Sequence, residues 1–381
     1  MGILRVSDDQ ITSVQGRALY QGGKGCDHAK PLVAFSLLMS SVSNLKSRVE
    51  LKQLSQADNR PRTTLSFYRY VAINDPDAFR ALLLKAWGDL GCLGRIYVAH
   101  EGINAQMNVP TENWQAFDSF VQSLPELAGV PYKIAVEEGS VPSFYKLTIK
   151  VKQKIVADGL DDASFDPSNT GEYLTAKEMN EYVADPEAVV IDMRNRYESE
   201  IGHFKHAITP DVDTFRDELL LVPKLLEDKK DKKVALYCTG GIRCEKASAW
   251  LKHQGFKNVK HLKGGVIDYK HQVEREGLPN LFLGKNFVFD ERLGERIGDE
   301  VISHCHLCNK NKSDTHYHCP NQVCHVLFLG CNDCHAKYGG YCSHYCRFFD
   351  KLPARFKKFY ARHYNRYFRP AQFKKARLRA S

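Results

Sequence analysis

"KKVALYCTGGIRCEKASAWLKHQGF" occupies residues 232–256, and the way it changes from one pattern to the next decides the fold. "KKVALYC" reads as a short strand covered on both faces, and "CEKASAWLKHQGF" as the helix that follows. Between Cys238 and Arg243 lie only Thr239, Gly240, Gly241 and Ile242. Two glycines let such a loop curl with its N–H groups turned inward around the sulfur. The helix N-terminus adds partial positive charge, and Arg243 adds a full one. All three effects favour thiolate over thiol, so Cys238 is expected to titrate below the free-cysteine value of about 8.5. A buried cysteine that merely ends a strand is the plainer alternative, and the Cys-x4-Arg spacing between strand and helix counts against it. Cys244, one turn into the helix, is either a resolving thiol for a persulfide or sulfenate on Cys238 or a residue packed against the strand.

Outward from this loop the same alternation continues. Thr175 and Glu178 have capping-box spacing. "AVVIDMR", "KKVALYC" and "NVKHL" read as strands, with "TFRDELLLVPKLLED", the Cys244 helix and "GVIDYKHQVEREG" as helices. Short apolar strands alternating with helices predict a parallel sheet covered on both faces over 173–280, with function at the carboxyl ends of the strands. Cys238 stands at one such end.

Residues 61–160 read differently. "TTLSFYRYVAI" is a strand. "DPDAFRALLLKAWGDLG" is a helix with Asp75 as cap, Pro76 in its first turn and Gly91 at its end. "GRIYVAHEGINAQMNVP" gives two strands around a turn at Glu101 and Gly102, "TENWQAFDSFVQSLPEL" a second helix and "YKLTIKVKQKIV" a last strand. The order βαββαβ predicts a ferredoxin-like sheet with both helices on one face. Lys146, Lys150, Lys152 and Lys154 alternate along the last strand and would share a face, where they either contact a bound polyanion or serve as solvated edge charge. "HEGIN" (100–104) reads as a tight hairpin turn, or as a loop reaching an active site.

Eight of the twelve cysteines fall between Cys305 and Cys346. The pairs Cys305/Cys308, Cys319/Cys324, Cys331/Cys334 and Cys342/Cys346 supply thiolates for two tetrahedral zinc sites, with a metal-free thiol cluster as the alternative. Spacing does not decide which pairs share a metal, and several nearby histidines offer substitute ligands. All-thiolate zinc leaves no open position, so its role would be folding rather than catalysis. Reactive thiols and CxxC pairs fit a reducing cytoplasm better than a secreted setting.

The formal charge of +9 is a property of one end: residues 351–381 hold eleven Lys or Arg and no acid, so the rest of the chain is slightly acidic. Cations interleaved with Phe and Tyr there suit phosphates and unstacked bases, with Lys357, Lys358, Arg362 and Arg366 as candidate nucleic-acid contacts. Near the start, "PLVAFSLLM" (31–39) is too short to span a bilayer. Residues 1–38 are read as a dispensable leader and no membrane association is expected.

The loop segment resembles a rhodanese domain, whose thiol carries sulfane sulfur as a cysteine persulfide. "IDMRNRYESEIGHFKHA" (191–207) matches in Asp192, Arg194, Glu198, Gly202 and His203, and "GFKNVKHLKGG" matches the closing strand. Asp192 and His203 are then framework residues rather than a base and its orienter. Related phosphatases hold one residue more between Cys and Arg, which argues against phosphate chemistry. The likeness extends over most of the chain: "PRTTLSFYRY", "GRIYVAHEGINAQ", "KIVADG", "IDMRNRYESEIGHF", "YCTGGIRCEKASAW", "GKNFVFDERLGERI" and "HCHLCN" resemble the bacterial rhodanese-domain tRNA uridine hydroxylases. That resemblance implies hydroxylation at C5 of the wobble uridine, in a tRNA anticodon loop, with molecular oxygen as co-substrate and Cys238 as the essential thiol. The electron donor is left open, as is the choice between thiolate and persulfide. A persulfide sulfurtransferase and a catalytically silent, zinc-stabilised RNA-binding protein are the rival readings.

The expected architecture is therefore mixed α/β and α+β. It comprises an N-terminal extension (1–60), a ferredoxin-like domain (61–160), a rhodanese domain (173–280), a linker and Cys-rich module (281–350) and a basic aromatic tail (351–381).

Overall fold

The computed structural model describes residues 48–58, 60–136, 142–353 and 355–357. The leader-like stretch and the candidate contacts Lys358, Arg362 and Arg366 lie outside the described residues.

Helix α1 (Arg48–Ala57) leads into the first sheet, built from β1 (Arg62–Tyr70), α2 (Pro76–Asp89), β2 (Leu93–Ala99), β3 (Gly102–Pro110), α3 (Trp114–Ser123), β4 (Lys133–Ile134) and β5 (Leu147–Val151). The strand order is β4-β1-β3-β2-β5. The first four strands are antiparallel neighbours in ferredoxin-like order, and β5 adds a parallel strand beside β2. This differs from the sequence reading in one respect. The strand expected at 145–156 is an extra edge strand, and the position beside β1 belongs to the two-residue β4. So short a strand carries no periodicity of its own.

Asp75 caps α2 by accepting from the amides of Asp77 and Ala78, and both helices lie on one face of the sheet. Phe67, Ile96, Ala105 and Met107 meet Leu83, Trp87 and Phe117 there in a closed apolar core. The residues between them, at alternating positions, face the other way. Register sets Lys133, Ser66, Gln106 and Arg95 in one row across four strands, and Tyr68, Asn104, Tyr97 and Lys150 in the next. This helix-free face is polar.

The second sheet is formed by β6 (Glu172–Leu174), α4 (Ala176–Ala184), β7 (Val189–Asp192), α5 (Arg196–Ser199), β8 (Gly202–Phe204), α6 (Phe215–Leu225), β9 (Lys233–Tyr237), α7 (Ile242–His253), β10 (Asn258–Leu262) and α8 (Gly265–Glu276). Strands β6-β10-β9-β7 are all parallel. Met179, Val266 and Tyr269 cover one face and Leu219, Val222, Ala247 and Leu251 the other. The capping box at Thr175 and Glu178 is present. Strand β8 instead pairs with β11 (Phe282–Asn286), which also carries β12 (Glu295–Arg296). The Cys-rich module contributes the hairpin of β13 (His316–His318) and β14 (Leu327–Leu329), then α9 (Asn332–Tyr338) and α10 (His344–Asp350).

The polar face of the first sheet packs over the start of α7. Tyr68 donates to Glu245 (3.0 Å), Tyr70 to the carbonyl of Ile242 (3.3 Å), and Lys246 reaches Glu101 (2.8 Å) and Asp158 (2.6 Å). This contact brings the sheet to the cysteine loop.

Candidate active site: the Cys238 loop beneath an open sheet

Strand β9 ends at Tyr237 and α7 begins at Ile242, so Cys238 sits at the carboxyl end of a central strand. Gly241 has φ +98°, a left-handed conformation that allows its amide to turn back, and that N–H lies 3.1 Å from the Cys238 Sγ. The next helix secures the loop from behind: Val266 and Ile267 donate to the carbonyls of Cys238 and Thr239 at 3.0 and 3.3 Å. That approach requires Gly265, where a Cβ would meet both carbonyl oxygens at 2.5 Å.

Burial acts to raise the Cys238 pKa. The thiol hydrogen bond from Cys244, the charge of Arg243 and the amides of Cys244 and Gly241 outweigh it, bringing the group down to about 6. Cys244 shows the converse. It is buried, it donates to Cys238, and both facts hold it well above the ordinary thiol value. Cys244 is thus packed in the core and in contact with the sulfur.

Arg243 is braced rather than free. Its two terminal nitrogens donate to the Glu198 oxygens at 2.6 and 2.8 Å, and one also reaches the Thr239 hydroxyl at 3.3 Å. Asp192 accepts from the backbone and guanidinium of Arg194 in a fully buried pair, and His203 bonds the carbonyl of Phe204 through Nδ1. Neither Asp192 nor His203 lines the cavity at the loop. The turn at 100–104 joins the contact between domains: Glu101 holds Lys246 and the amide of Ile155.

A cavity of about 430 Å³ opens at the loop, within the range typical of small-molecule sites. Cys238, Thr239, Gly240, Ile242 and Arg243 form its floor. Tyr68, Arg95, Asn104, Gln106 and Lys133 form a wall from the open sheet face, and Phe289, Arg292 and Glu295 a third side. The sequence reading found the floor and missed the walls. A signal existed: "TTLSFYRY" and "INAQMN" place polar residues at every second position, as a strand with one wet face does.

The candidate RNA contacts separate. Lys146, Lys150 and Lys152 are exposed at the edge where the open face ends, with Lys152 5.9 Å from the Tyr97 ring centre. Lys154 is held by Asp158 (2.6 Å), and Lys357 by Asp350 (3.1 Å).

The eight cysteines of the C-terminal module form two groups. Cys305 and Cys308 converge with Cys331 and Cys334, and Cys319 and Cys324 with Cys342 and Cys346; within each group the sulfurs lie within 4.8 Å of one another. Tetrahedral Zn–S bonds of about 2.3 Å imply sulfur separations of ~3.8 Å, so both groups fit a four-coordinate metal. The pairing is interleaved, first pair with third and second with fourth. His306 is engaged by Glu200 (2.6 Å) and His335 stacks on Tyr317, so sulfur alone completes each set. Among the described residues, no helix is long and apolar enough to cross a membrane.

A thiol cradled by inward amides at the end of a parallel strand defines a rhodanese-type protein, here joined to a ferredoxin-like partner. Family models agree in order: a UPF0176 acylphosphatase-like domain matches residues 62–155, a rhodanese-like domain 175–272 and a rhodanese C-terminal region 283–347. The chain is 49% identical over 316 residues to a tRNA uridine(34) hydroxylase of Photorhabdus laumondii, covering 83% of this chain and 89% of that one. Proteins of the same name from Escherichia coli and Leptospira interrogans are each 50% identical, over 81% of this chain and 88% and 84% of theirs. The solved rhodanese-like domain of an Anabaena protein is 19% identical, covers 30% of this chain and 80% of that one, and superposes with a TM-score of 0.24. The chain belongs to the tRNA uridine(34) hydroxylase family.

Proposed function

We propose that this protein hydroxylates uridine 34 of tRNA at C5, with Cys238 as the reacting thiol and molecular oxygen as the source of the hydroxyl. The observation that carries the reading is that the Cys238 loop opens not to bulk solvent but into a cavity walled by the polar face of a second domain. A free-standing sulfurtransferase has no need of that wall, and a scaffold has no need of an amide aimed at a thiolate.

Cys238 is the nucleophile, and the loop amides with Cys244 hold its negative charge. C5 of uracil is a poor nucleophile until a thiolate adds at C6 and makes it enolate-like. The overall conversion adds one oxygen atom to C5 and reduces the other to water, which consumes two electrons and two protons. A donor outside the chain supplies those electrons, or a persulfide on Cys238 takes part in oxygen activation. The two four-cysteine groups would each hold a zinc ion, which would serve folding. An anticodon loop is already single-stranded, so its wobble base enters the cavity without melting a duplex. Lys146, Lys150 and Lys152, with the basic tail, would take its phosphates in the cytoplasm, where tRNA is found.

Mass spectrometry of tRNA nucleosides from a gene-deletion strain tests this. Loss of 5-hydroxyuridine, restored by the wild-type gene and not by Cys238→Ser, is expected. Loss of a thiouridine instead would move the assignment to sulfur transfer, and rescue by the serine variant would leave only a scaffold.

A further inference from the structure

Lys133 occupies the short strand β4, beside Ser66, and lines the cavity with Cys238. The residue is 8% exposed. Its ammonium lies 4.4 Å from the centre of the Tyr68 ring, and its stem runs so close to the thiol loop that a Cβ on Gly240 would meet Cδ at 3.6 Å. Among the described residues, no carboxylate forms an ion pair with it. Of the acids whose charge it feels, Glu245 accepts from Tyr68 and Tyr173 and Asp268 from Gln272, and the third is the Cys238 thiolate itself. A buried ammonium without a direct ion pair is costly, and folds retain such groups where the charge is used. Thiolate attack on a uracil would carry the Cys238 charge out of the loop and onto the base, within the same cavity.

We propose that Lys133 is the general acid of the base-binding site, giving its proton to O4 of the uracil as Cys238 attacks C6. The inference rests on the uridine reading above and adds a residue to it. The Cys238 sulfur donates a pair to form the S–C6 bond, the C5=C6 π pair shifts toward C4, and the C4=O4 π pair moves onto oxygen. O4 takes the proton from Lys133. One anion and one cation become a neutral enol and a neutral amine, with no change of oxidation state. A solvent proton then adds to C5 as the O4 proton returns to Lys133, giving an adduct with two hydrogens on C5. Loss of the original C5 proton to solvent, with Lys133 again protonating O4, restores the enol. Return of that proton to Lys133 as the S–C6 bond breaks expels the thiolate and regenerates uracil with C5–H exchanged.

The electrostatics agree with this geometry. Burial lowers the Lys133 pKa to about 8, against the opposing charges of Asp268, Cys238 and Glu245. Tyr68, whose ring lies against its ammonium, is raised by burial and by Glu245 far beyond this range and stays neutral. The step needs Cys238 ionised, above about pH 6, and Lys133 protonated, below about pH 8, so exchange should follow a bell-shaped profile between those limits.

The test is anaerobic release of tritium from tRNA labelled at C5 of uridine 34, using the full chain. The wild type should release label, and Cys238→Ser should not. Lys133→Met should release it on the order of a hundredfold more slowly with tRNA affinity within about threefold of wild type. Lys133→Arg keeps the charge without an acid that titrates in this range, so it should release label more slowly than wild type and lose the alkaline limb. Release by Lys133→Met at the wild-type rate, or an alkaline limb that persists in Lys133→Arg, overturns the proposal. So does a wild type that releases no label while forming 5-hydroxyuridine in air, an outcome that leaves the uridine reading standing. A wild type that exchanges C5–H but never hydroxylates refutes that reading and keeps Lys133 in its role. Should Lys133→Met fail to bind tRNA, the wild-type and Lys133→Arg profiles decide alone.

Discussion

Arg243 and Glu198 form a two-pronged ion pair, 2.6 and 2.8 Å long, between the start of the loop helix and the short helix α5. Both residues are almost fully buried. The loop cation is therefore neutralised before any substrate arrives, and its principal work is to fix Thr239 and the curve of the loop. Its field still reaches the Cys238 sulfur.

Removing the carboxylate should then be costly. Glu198→Ala leaves a buried guanidinium without its partner, and a loss of about 3–5 kcal/mol is expected. Denaturant unfolding monitored by fluorescence measures it. A loss below about 1 kcal/mol would mean that solvent reaches Arg243.

Alkylation of Cys238 by iodoacetamide should rise with a midpoint near pH 6. Because the folded-state pKa lies below the unfolded value, the thiolate contributes stability above about pH 8.5, and that contribution is lost as pH falls through about 6. Cys244→Ala removes the thiol donor, so its midpoint should move upward. A midpoint unchanged by that substitution would assign the stabilisation to the amides and Arg243.

The exposed lysines should divide into two classes. Lys150→Ala and Lys152→Ala are each expected to weaken tRNA binding and reduce the slope of log affinity against log salt by about 0.7, as for one single-strand phosphate contact. Lys154→Ala should leave the slope unchanged, because Asp158 already holds that ammonium. Titrations over a range of salt concentrations distinguish the two.

The interleaved cysteines predict a pattern in metal content. Elemental analysis should find two metal ions per chain, following the two groups of four sulfurs. Cys305→Ser and Cys331→Ser should each lose the same ion, with little further loss in the double variant. Cys319→Ser combined with Cys305→Ser should lose both. Retention of both ions in Cys305→Ser would refute the pairing.

The loop was legible because its chemistry is local: a strand, two glycines, an arginine and a helix follow one another within a few residues. The helices were equally plain, since Asp75 and Thr175 cap them in the sequence as they do in space. What escaped notice depends on distant register. Lys133 sits in a strand of two residues, and nothing near it announces that Ser66 lies alongside or that Gly240 lies beneath. The partner of Arg243 was quoted from the sequence as part of a motif, but its grip on the guanidinium is a relation across 45 positions. The sulfur pairing belongs to the same class, because equal spacings permit several foldings and only the packed hairpin selects one.

The three-sided cavity also governs which molecules meet the sulfur. An isolated sulfur-carrying domain of this type, trimmed of its neighbours, would offer Cys238 to any small anion that diffused past. Here the open sheet and the segment carrying Phe289 and Arg292 stand over it, so admission is set by the width and wetness of a slot rather than by reactivity. Discrimination among reagents is thus written in parts of the chain outside the thiol loop, and grafting the loop onto another host would transfer its reactivity without its selectivity.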